Sequence, residues 1–224
     1  MAACRICGCS NWFFSVSERG LCRSCDHLAS IDIDQRARVV LEASRLAEQS
    51  GDPRSKIEHM GVVVRNLEAL TEYERRGIAT LRDSAEARLI KSRADLDELV
   101  AGTARRELEE VLDKVRETRG SCQKTKLYSD FLIKLLEHRA WHGCQKPIEA
   151  LIGQVRNAIY RVRLNAFLEE ARHAEFTGDG SSALEHYRRA LGYWKRQAPD
   201  DPAACEHRNL IEGRIRALER VCPA

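Results

Sequence analysis

The chain has 224 residues, a net charge of +3 and nine cysteines. No apolar run approaches the ~20 residues of a membrane span, and no basic-then-apolar leader with a small-residue cleavage site opens the chain. An odd and scattered set of cysteines suits a reducing compartment better than a disulfide framework. We therefore expect a cytoplasmic protein with no membrane partner. It should be mainly α-helical, because alanine, leucine, glutamate and arginine are abundant and proline is scarce.

The first motif along the chain consists of four cysteines in two C-x-x-C pairs. They are Cys4 and Cys7, then Cys22 and Cys25. Each pair puts two sulfurs on one tight turn, so that all four can reach a single tetrahedral ion. Gly8 follows the first pair, where the chain must bend back and a residue without a Cβ is favoured. The spacing predicts a four-thiolate Zn²⁺ site, with Cys9 and His27 as nearby substitutes for a ligand.

The residues between the two pairs predict the small hairpin of a zinc ribbon. Residues 12–16 read as a short strand and residues 17–20 as a turn. About 25 residues bury too little apolar surface to fold alone, and zinc supplies the missing stabilisation, on the order of 10 kcal/mol. Four thiolates also close the metal's coordination shell, so the ion should be structural rather than catalytic. We assign residues 1–29 to this zinc ribbon.

Residues 30–120 are predicted to form a helical hairpin followed by a long charged helix. Asp32 is the predicted N-cap of the first helix, with Gln35 in the capping-box position. Asp52-Pro53 begins the second helix with an acidic cap followed by proline at the first helical position. The apolar stripe of this second helix ends near Gly77. The short turn between the two helices favours an antiparallel hairpin.

The long charged helix is predicted from about residue 81 to 119, and its apolar positions are sparse. Leu89 and Leu96 lie one heptad apart, but Thr103 and Glu110 occupy the next two such positions and break the coiled-coil pattern. A solvated spacer helix or an intramolecular three-helix arrangement is favoured over a long two-chain coiled coil. A homo-oligomer formed through this helix stays open as the alternative.

Residues 121–224 are predicted to form a helical bundle, and a cluster near its first helix invites a second metal site. The candidate ligands are Cys122, His138, His142 and Cys144. The two histidines lie at i and i+4 on one helix face, which is suitable metal geometry. However, Cys122 has no paired cysteine and Cys144 lies beyond the glycine that should end the helix. We interpret the cluster as incidental side chains and leave a second metal site as the alternative.

The segment 121–165 carries eight basic residues against three acidic ones. A basic stripe of this kind can attract phosphates. The candidate nucleic-acid contacts are Lys124, Lys126, Lys134, Lys146, Arg156, Arg161 and Arg163.

Residues 164–196 resemble a single tetratricopeptide repeat, with one helix, a glycine-containing turn at 178–180 and a second helix. The positions that carry the resemblance are Phe167, Ala171, Ala183, Tyr187 and Ala190. The resemblance implies two antiparallel helices, brought close together by the small side chains. One repeat cannot stack on itself. We therefore expect the preceding helix, which Pro147 begins, to cover one side and a C-terminal helix at 203–221 to cap the other.

Taken together, the order of elements resembles bacterial proteins that place a zinc ribbon before long helices. The element Gly20-Leu21-Cys22-Arg23-Ser24-Cys25, followed by a helix, carries this resemblance. The resemblance implies the architecture and no particular activity.

Sequence signals of an enzyme are missing from the chain. It has no glycine-rich phosphate loop, no nucleophile elbow and no strand framework on which to position catalytic groups. We therefore predict a non-catalytic adaptor or scaffold that docks a protein partner. The alternative is a nucleic-acid-binding regulator that uses the zinc ribbon and the basic segment 121–165.

Overall fold

The computed structural model describes residues 3–10, 15–142, 145–197 and 202–221, without the side chains of 140–142, 145–147, 197, 202–205 and 221. Seven helices occur in these ranges: α1 (Arg23–Gln49), α2 (Pro53–Arg75), α3 (Ala85–Glu117), α4 (Ser121–His142), α5 (Gln145–Phe176), α6 (Gly180–Gln197) and α7 (Pro202–Val221). The described residues contain no strand, which confirms the mainly helical class. Of the strand predicted at 12–16, residues 12–14 lie outside the described residues, and residues 15 and 16 are not in a strand. None of the described helices is long and apolar enough to cross a membrane.

The chain divides into two compact units, Met1–Thr103 and Ala104–Ala224, and the division falls within α3. The first unit contains the cysteine pairs, α1, α2 and the first part of α3. The second contains the end of α3 and helices α4 to α7. The domain limit predicted at residue 120 lies after this division, in the gap between α3 and α4.

Helix α1 begins at Arg23 with Cys22 as its N-cap, so the prediction that Asp32 caps this helix is wrong. The Cys22 sulfur accepts a hydrogen bond from the Cys25 N–H at 3.5 Å and takes the role that a serine or aspartate oxygen has at most N-caps. Asp32 lies inside the helix and accepts a hydrogen bond from Arg36 Nε at 2.8 Å. An aspartate four residues before an arginine also stabilises a helix interior. Asp32 therefore fits both positions, and the capping-box pattern led to the wrong helix start.

Helices α1 and α2 form the predicted hairpin. Asp52 caps α2 by accepting a hydrogen bond from the Ser55 N–H at 2.9 Å, and Pro53 is the first helical residue, as predicted. The two helices pack against each other. Their buried apolar side chains are Ala29, Ile33, Val40, Ala43 and Ala47 of α1 and Ile57, Val63, Val64, Leu67 and Leu70 of α2.

A carboxylate from α2 holds the start of α3 at a turn that we call the α2–α3 corner, residues 74–86. Gly77 adopts a positive φ of 75°, close to the predicted end of α2. Glu74 Oε1 accepts hydrogen bonds from the Thr80 hydroxyl and the Ala85 N–H, both at 2.8 Å. Partial burial alone would raise the pKa of Glu74, but these bonds outweigh it and lower the pKa. Glu74 thus satisfies N–H groups that the first turn of a helix leaves free.

The first part of α3 has a buried apolar face. Leu89, Leu96 and Val100 are buried, and Arg93 forms an ion pair with Glu68 of α2 at 2.5 Å. The two leucines of the broken heptad pattern are therefore buried without a second chain.

The second unit is a bundle in which α4 packs on α5, α5 on α6, and α6 on α7. Its core is formed by Tyr160, Leu164, Leu168, Ala171, Tyr187, Ala190 and Ile211. Helix α5 is continuous, and the predicted turn at 178–180 separates it from α6. Gly178 there has a φ of 79°, and Asp179 accepts a hydrogen bond from the Ser182 N–H at 3.0 Å. Ile215 and Leu218 of α7 pack against the core, so the last helix covers the α5–α6 pair as expected.

Candidate metal centre

The first cysteine pair lies on a tight loop. The Gly8 N–H donates a hydrogen bond to the Cys4 carbonyl at 2.8 Å, and the Cys4 N–H donates to the Cys9 carbonyl at 3.0 Å. Gly8 adopts a φ of 70°, a conformation that glycine reaches without steric cost. The loop therefore bends back after Cys7 as the sequence predicts, and it presents the Cys4 and Cys7 sulfurs together.

The second pair lies at the start of α1, which the sequence did not predict. Cys22 is the N-cap and Cys25 belongs to the first turn. The N–H groups at the start of a helix and the helix dipole are positive, so a cysteine pair placed there leaves one of these N–H groups close to a sulfur. The regular geometry of the helix also fixes the spacing of the two sulfurs.

The four predicted cysteines come together. Their sulfur atoms all lie within 4.8 Å of one another, and Cys7 Sγ is 3.9 Å from Cys22 Sγ. Four sulfurs placed tetrahedrally about 2.3 Å from one ion would be about 3.8 Å apart, whereas a disulfide brings two sulfurs to about 2.05 Å. The spacing therefore fits four thiolates around a metal ion and not a pair of disulfides.

Hydrogen bonds shift the pKa values of two of the thiols in opposite directions. Cys4 Sγ is approached by the backbone N–H groups of Cys7 and Cys22, the latter at 3.3 Å, and these bonds lower the pKa of Cys4 to about 6. The pKa of Cys25 is raised to about 12, chiefly by its hydrogen bond with the Cys22 sulfur and then by burial. Without a cation the cluster therefore keeps part of its protons. A divalent metal ion would release them by stabilising all four thiolates.

One backbone hydrogen bond joins the first cysteine loop to the segment before the second pair, and two others fold that segment. The Arg5 N–H donates to the Gly20 carbonyl at 3.1 Å, and the Ser17 N–H donates to the Leu21 carbonyl at 2.8 Å. Gly20 also donates to Ser17 at 2.8 Å, which confirms the predicted turn. Leu21, fully buried, anchors this segment beside Cys22.

The remaining candidate ligands do not join the cluster. Within the part of the chain that the structure describes, the four cysteines are the only group of three or more side chains placed to hold a metal ion. Cys9 and His27 lie outside this group, as do Cys122 and His138. The side chain of His142 and the whole of Cys144 are not among the described residues. The second metal site is therefore left as a sequence prediction.

The basic residues of 121–165 are distributed over two helices. Lys124, Lys126 and Lys134 lie on α4, whereas Lys146, Arg156, Arg161 and Arg163 lie on α5. All of these side chains are exposed except that of Lys124, which is half-buried, and that of Lys146, which is not described. Arg156 and Arg163, seven residues apart, fall on the same face of α5.

An apolar groove beside the metal centre was missed at the sequence level. We call it the knuckle groove: a depression of about 410 Å³ whose lining includes Ile6, Leu28, Ile31 and Tyr73. Leu28 and Ile31 are 65% and 52% exposed, unlike Ala29 and the other residues of the buried stripe of α1. Extending the helix pattern back to Cys22 would have revealed them, because they then fall outside that stripe.

No protein-family model, curated protein or solved structure matches this chain.

Proposed function

We propose that this protein is a non-catalytic adaptor in which a structural zinc ion joins the cysteine loop to α1 and the knuckle groove docks a protein partner. The observation that carries the proposal is the pair of exposed aliphatic side chains, Leu28 and Ile31, on the helix that also bears Cys25. Large apolar side chains grouped in a depression are typical of an interaction site.

The chemistry of the four sulfurs supports zinc. Thiolates are soft ligands, and a closed tetrahedral set of four is typical of structural zinc sites. Such a shell has no position for water or substrate, which supports a structural role. Elemental analysis of the purified protein distinguishes zinc from iron, the other metal that four cysteines commonly hold.

The dimensions of the groove support a partner that inserts a few apolar side chains. Burying a leucine or isoleucine side chain fully is worth about 1.5–3 kcal/mol. Asp32 at the edge of the groove is already neutralised by Arg36, so the lining brings no uncompensated charge into an apolar contact. We therefore propose a short segment with aliphatic or aromatic side chains as the occupant, bound through a small and reversible interface.

The test uses paired variants of α1. Affinity capture from the native host with the wild-type chain should identify a partner, whose direct binding is then measured by calorimetry with purified components. The double variant Leu28→Ser, Ile31→Ser should lose that binding. Leu41→Ser is the matched control, because Leu41 is 71% exposed on the same helix but about 15–20 Å further along and on a different face. Unchanged binding by the double variant would refute the docking site.

The second candidate function, a nucleic-acid-binding regulator, is favoured by one observation. Lys126, Lys134, Arg156 and Arg163 are exposed and have no ion-pair partner among the described residues. A nucleic-acid binder should bind a mixed oligonucleotide pool at low salt, and its affinity should fall steeply as salt rises. Arg156→Ala with Arg163→Ala should then weaken binding and reduce the salt slope by about 2.

A further inference from the structure

The side chain of Arg5, which follows Cys4 directly, reaches from the cysteine loop to the α2–α3 corner. Its Nη1 donates a hydrogen bond to the Gly77 carbonyl at 2.5 Å, although 72 residues separate the two. The Arg5 backbone is at the same time bonded to the Gly20 carbonyl. Arg5 thus joins three parts of the first unit: the two sides of the metal centre and the end of α2.

Two glycines make room for this side chain. A Cβ built on Gly20 would lie 2.7 Å from Arg5 Nε, and one built on Gly77 would lie 2.5 Å from Arg5 Nη1. Both glycines also have a positive φ, 73° and 75°. A Cβ at either position would therefore meet the guanidinium end of Arg5 in its present conformation, and both turns leave room for it there.

Gly77 belongs to the turn that positions α3. The Gly77 N–H donates to the Glu74 carbonyl at 2.8 Å, and the Ile78 N–H donates to Tyr73 at 3.0 Å. The Glu74 carboxylate in turn holds the first N–H groups of α3. A guanidinium bound to the Gly77 carbonyl therefore stabilises the turn that begins at Glu74. The Glu74 carboxylate in that turn holds the start of α3.

Arg5 lies inside the loop that carries the first two candidate ligands. Arg5 lies between two candidate ligands, in a loop whose described part spans 3–10 and buries little apart from Cys4. Metal bound to Cys4 and Cys7 would fix the backbone on both sides of Arg5, because metal binding supplies the folding energy of such small loops.

We propose that metal occupancy at the four cysteines is transmitted by Arg5 to the α2–α3 corner, so that the anchoring of α3 responds to metal. The inference rests on metal binding by the cysteines and is independent of what the knuckle groove docks. Metal removal releases the cysteine loop, withdraws the guanidinium from the Gly77 carbonyl and loosens residues 74–86.

Hydrogen–deuterium exchange on the full chain tests this coupling. In the wild type, removing zinc with a chelator should accelerate exchange of residues 74–86 about tenfold, as expected for loss of a charge-assisted hydrogen bond. Amides of α5 and α6 serve as the internal reference and should not change. Arg5→Ala should retain one zinc per chain while its corner exchanges as fast as in the zinc-free wild type, and chelation should add no further increase.

Arg19→Ala is the control, because Arg19 is an arginine between the two cysteine pairs that bonds to Ser30 Oγ of α1 at 3.1 Å and not to the corner. It should keep both the protected corner and the response to chelation. If Arg5→Ala does not hold one zinc, Arg5→Lys serves as the milder variant, with a smaller increase expected. A wild-type corner that does not respond to chelation, or an arginine variant that keeps the full response, overturns the coupling. Protein that carries no metal overturns the zinc centre itself.

Discussion

The Tyr73 hydroxyl donates a hydrogen bond to Asp32 Oδ2 at 2.9 Å, across 41 residues of sequence. The same oxygen accepts from Arg36 Nε, and this second bond is the main cause of a lowered pKa for Asp32. Burial, followed by the bond to Asp32, raises the pKa of Tyr73, so its hydroxyl stays protonated as a donor at neutral pH. The contact fixes the end of α2 on α1 beside the knuckle groove.

We predict that Tyr73→Phe lowers the free energy of unfolding by about 1 kcal/mol, the typical net contribution of one partly buried hydrogen bond. The measurement is the urea midpoint followed by circular dichroism. Tyr193→Phe is the comparison, since the described residues give the Tyr193 hydroxyl no hydrogen-bond partner while its ring stacks on Tyr160. That variant should stay within about 0.5 kcal/mol of the wild type. Equal losses in the two variants would show that the Asp32 contact contributes nothing specific.

We predict one zinc per chain, held by Cys4, Cys7, Cys22 and Cys25. Cys22→Ser is the most informative change, because serine is a good N-cap and preserves the start of α1 while removing a thiolate. Zinc content measured by elemental analysis should fall well below one per chain. Cys9→Ser should keep full zinc, since the Cys9 sulfur lies outside the cluster. A Cys22→Ser protein with full zinc would contradict the assignment.

We predict that Asp179 titrates at about pH 2. Hydrogen bonds from the Ser182 hydroxyl at 2.6 Å and from the Ser182 N–H stabilise its carboxylate and lower its pKa from the ordinary value. Because the folded pKa is depressed, the carboxylate stabilises the fold fully above about pH 4, and this stabilisation is lost as the pH falls through about 2. Carboxyl NMR of the labelled protein measures the pKa directly. In Ser182→Ala the pKa should move upward, and an unchanged pKa would show that the Ser182 hydroxyl is not what lowers it.

We predict that Ala183→Leu destabilises the protein by about 1–3 kcal/mol, because Ala183 is completely buried on α6, the helix that packs on α5, and a larger side chain overpacks the site. Glu185→Ala, on the same helix but exposed and paired with the exposed Arg189, should change stability by no more than about 0.5 kcal/mol. Urea midpoints of the two variants decide the matter. If they agree, the alanine spacing that resembles a tetratricopeptide repeat carries no packing information.

Local chemistry made several elements predictable. Asp52 and Pro53 fix the start of α2 by capping and by a preset φ, and Gly178 supplies the positive φ that the turn before α6 requires. The four cysteines were recognisable because two C-x-x-C pairs constrain the sulfur positions within a few residues. In each case the sequence signal and the structural requirement lie in the same short segment.

The features that sequence reasoning missed depend on distant residues or on an unusual cap. The contact of Arg5 with Gly77 joins positions that no local pattern connects. The cysteine spacing predicts only a ligand role for Cys22 and gives no sign that it is an N-cap. The predicted start of α1 therefore falls at Asp32. That error concealed Leu28 and Ile31, whose exposure becomes visible once the helix is extended to its true beginning.

Cys22 is both the last residue of the segment between the pairs and the N-cap of α1. The two cysteine pairs of the candidate metal centre therefore differ in how they are assembled. A chain in which α1 has formed already presents Cys22 and Cys25 at a fixed spacing, as a preformed bidentate half-site. An ion captured there is enclosed once the segment between the two pairs closes and brings in Cys4 and Cys7, and the entropy cost of such closure grows only slowly with loop length. A metal ion would therefore use the helix as the template and recruit the N-terminal loop to it.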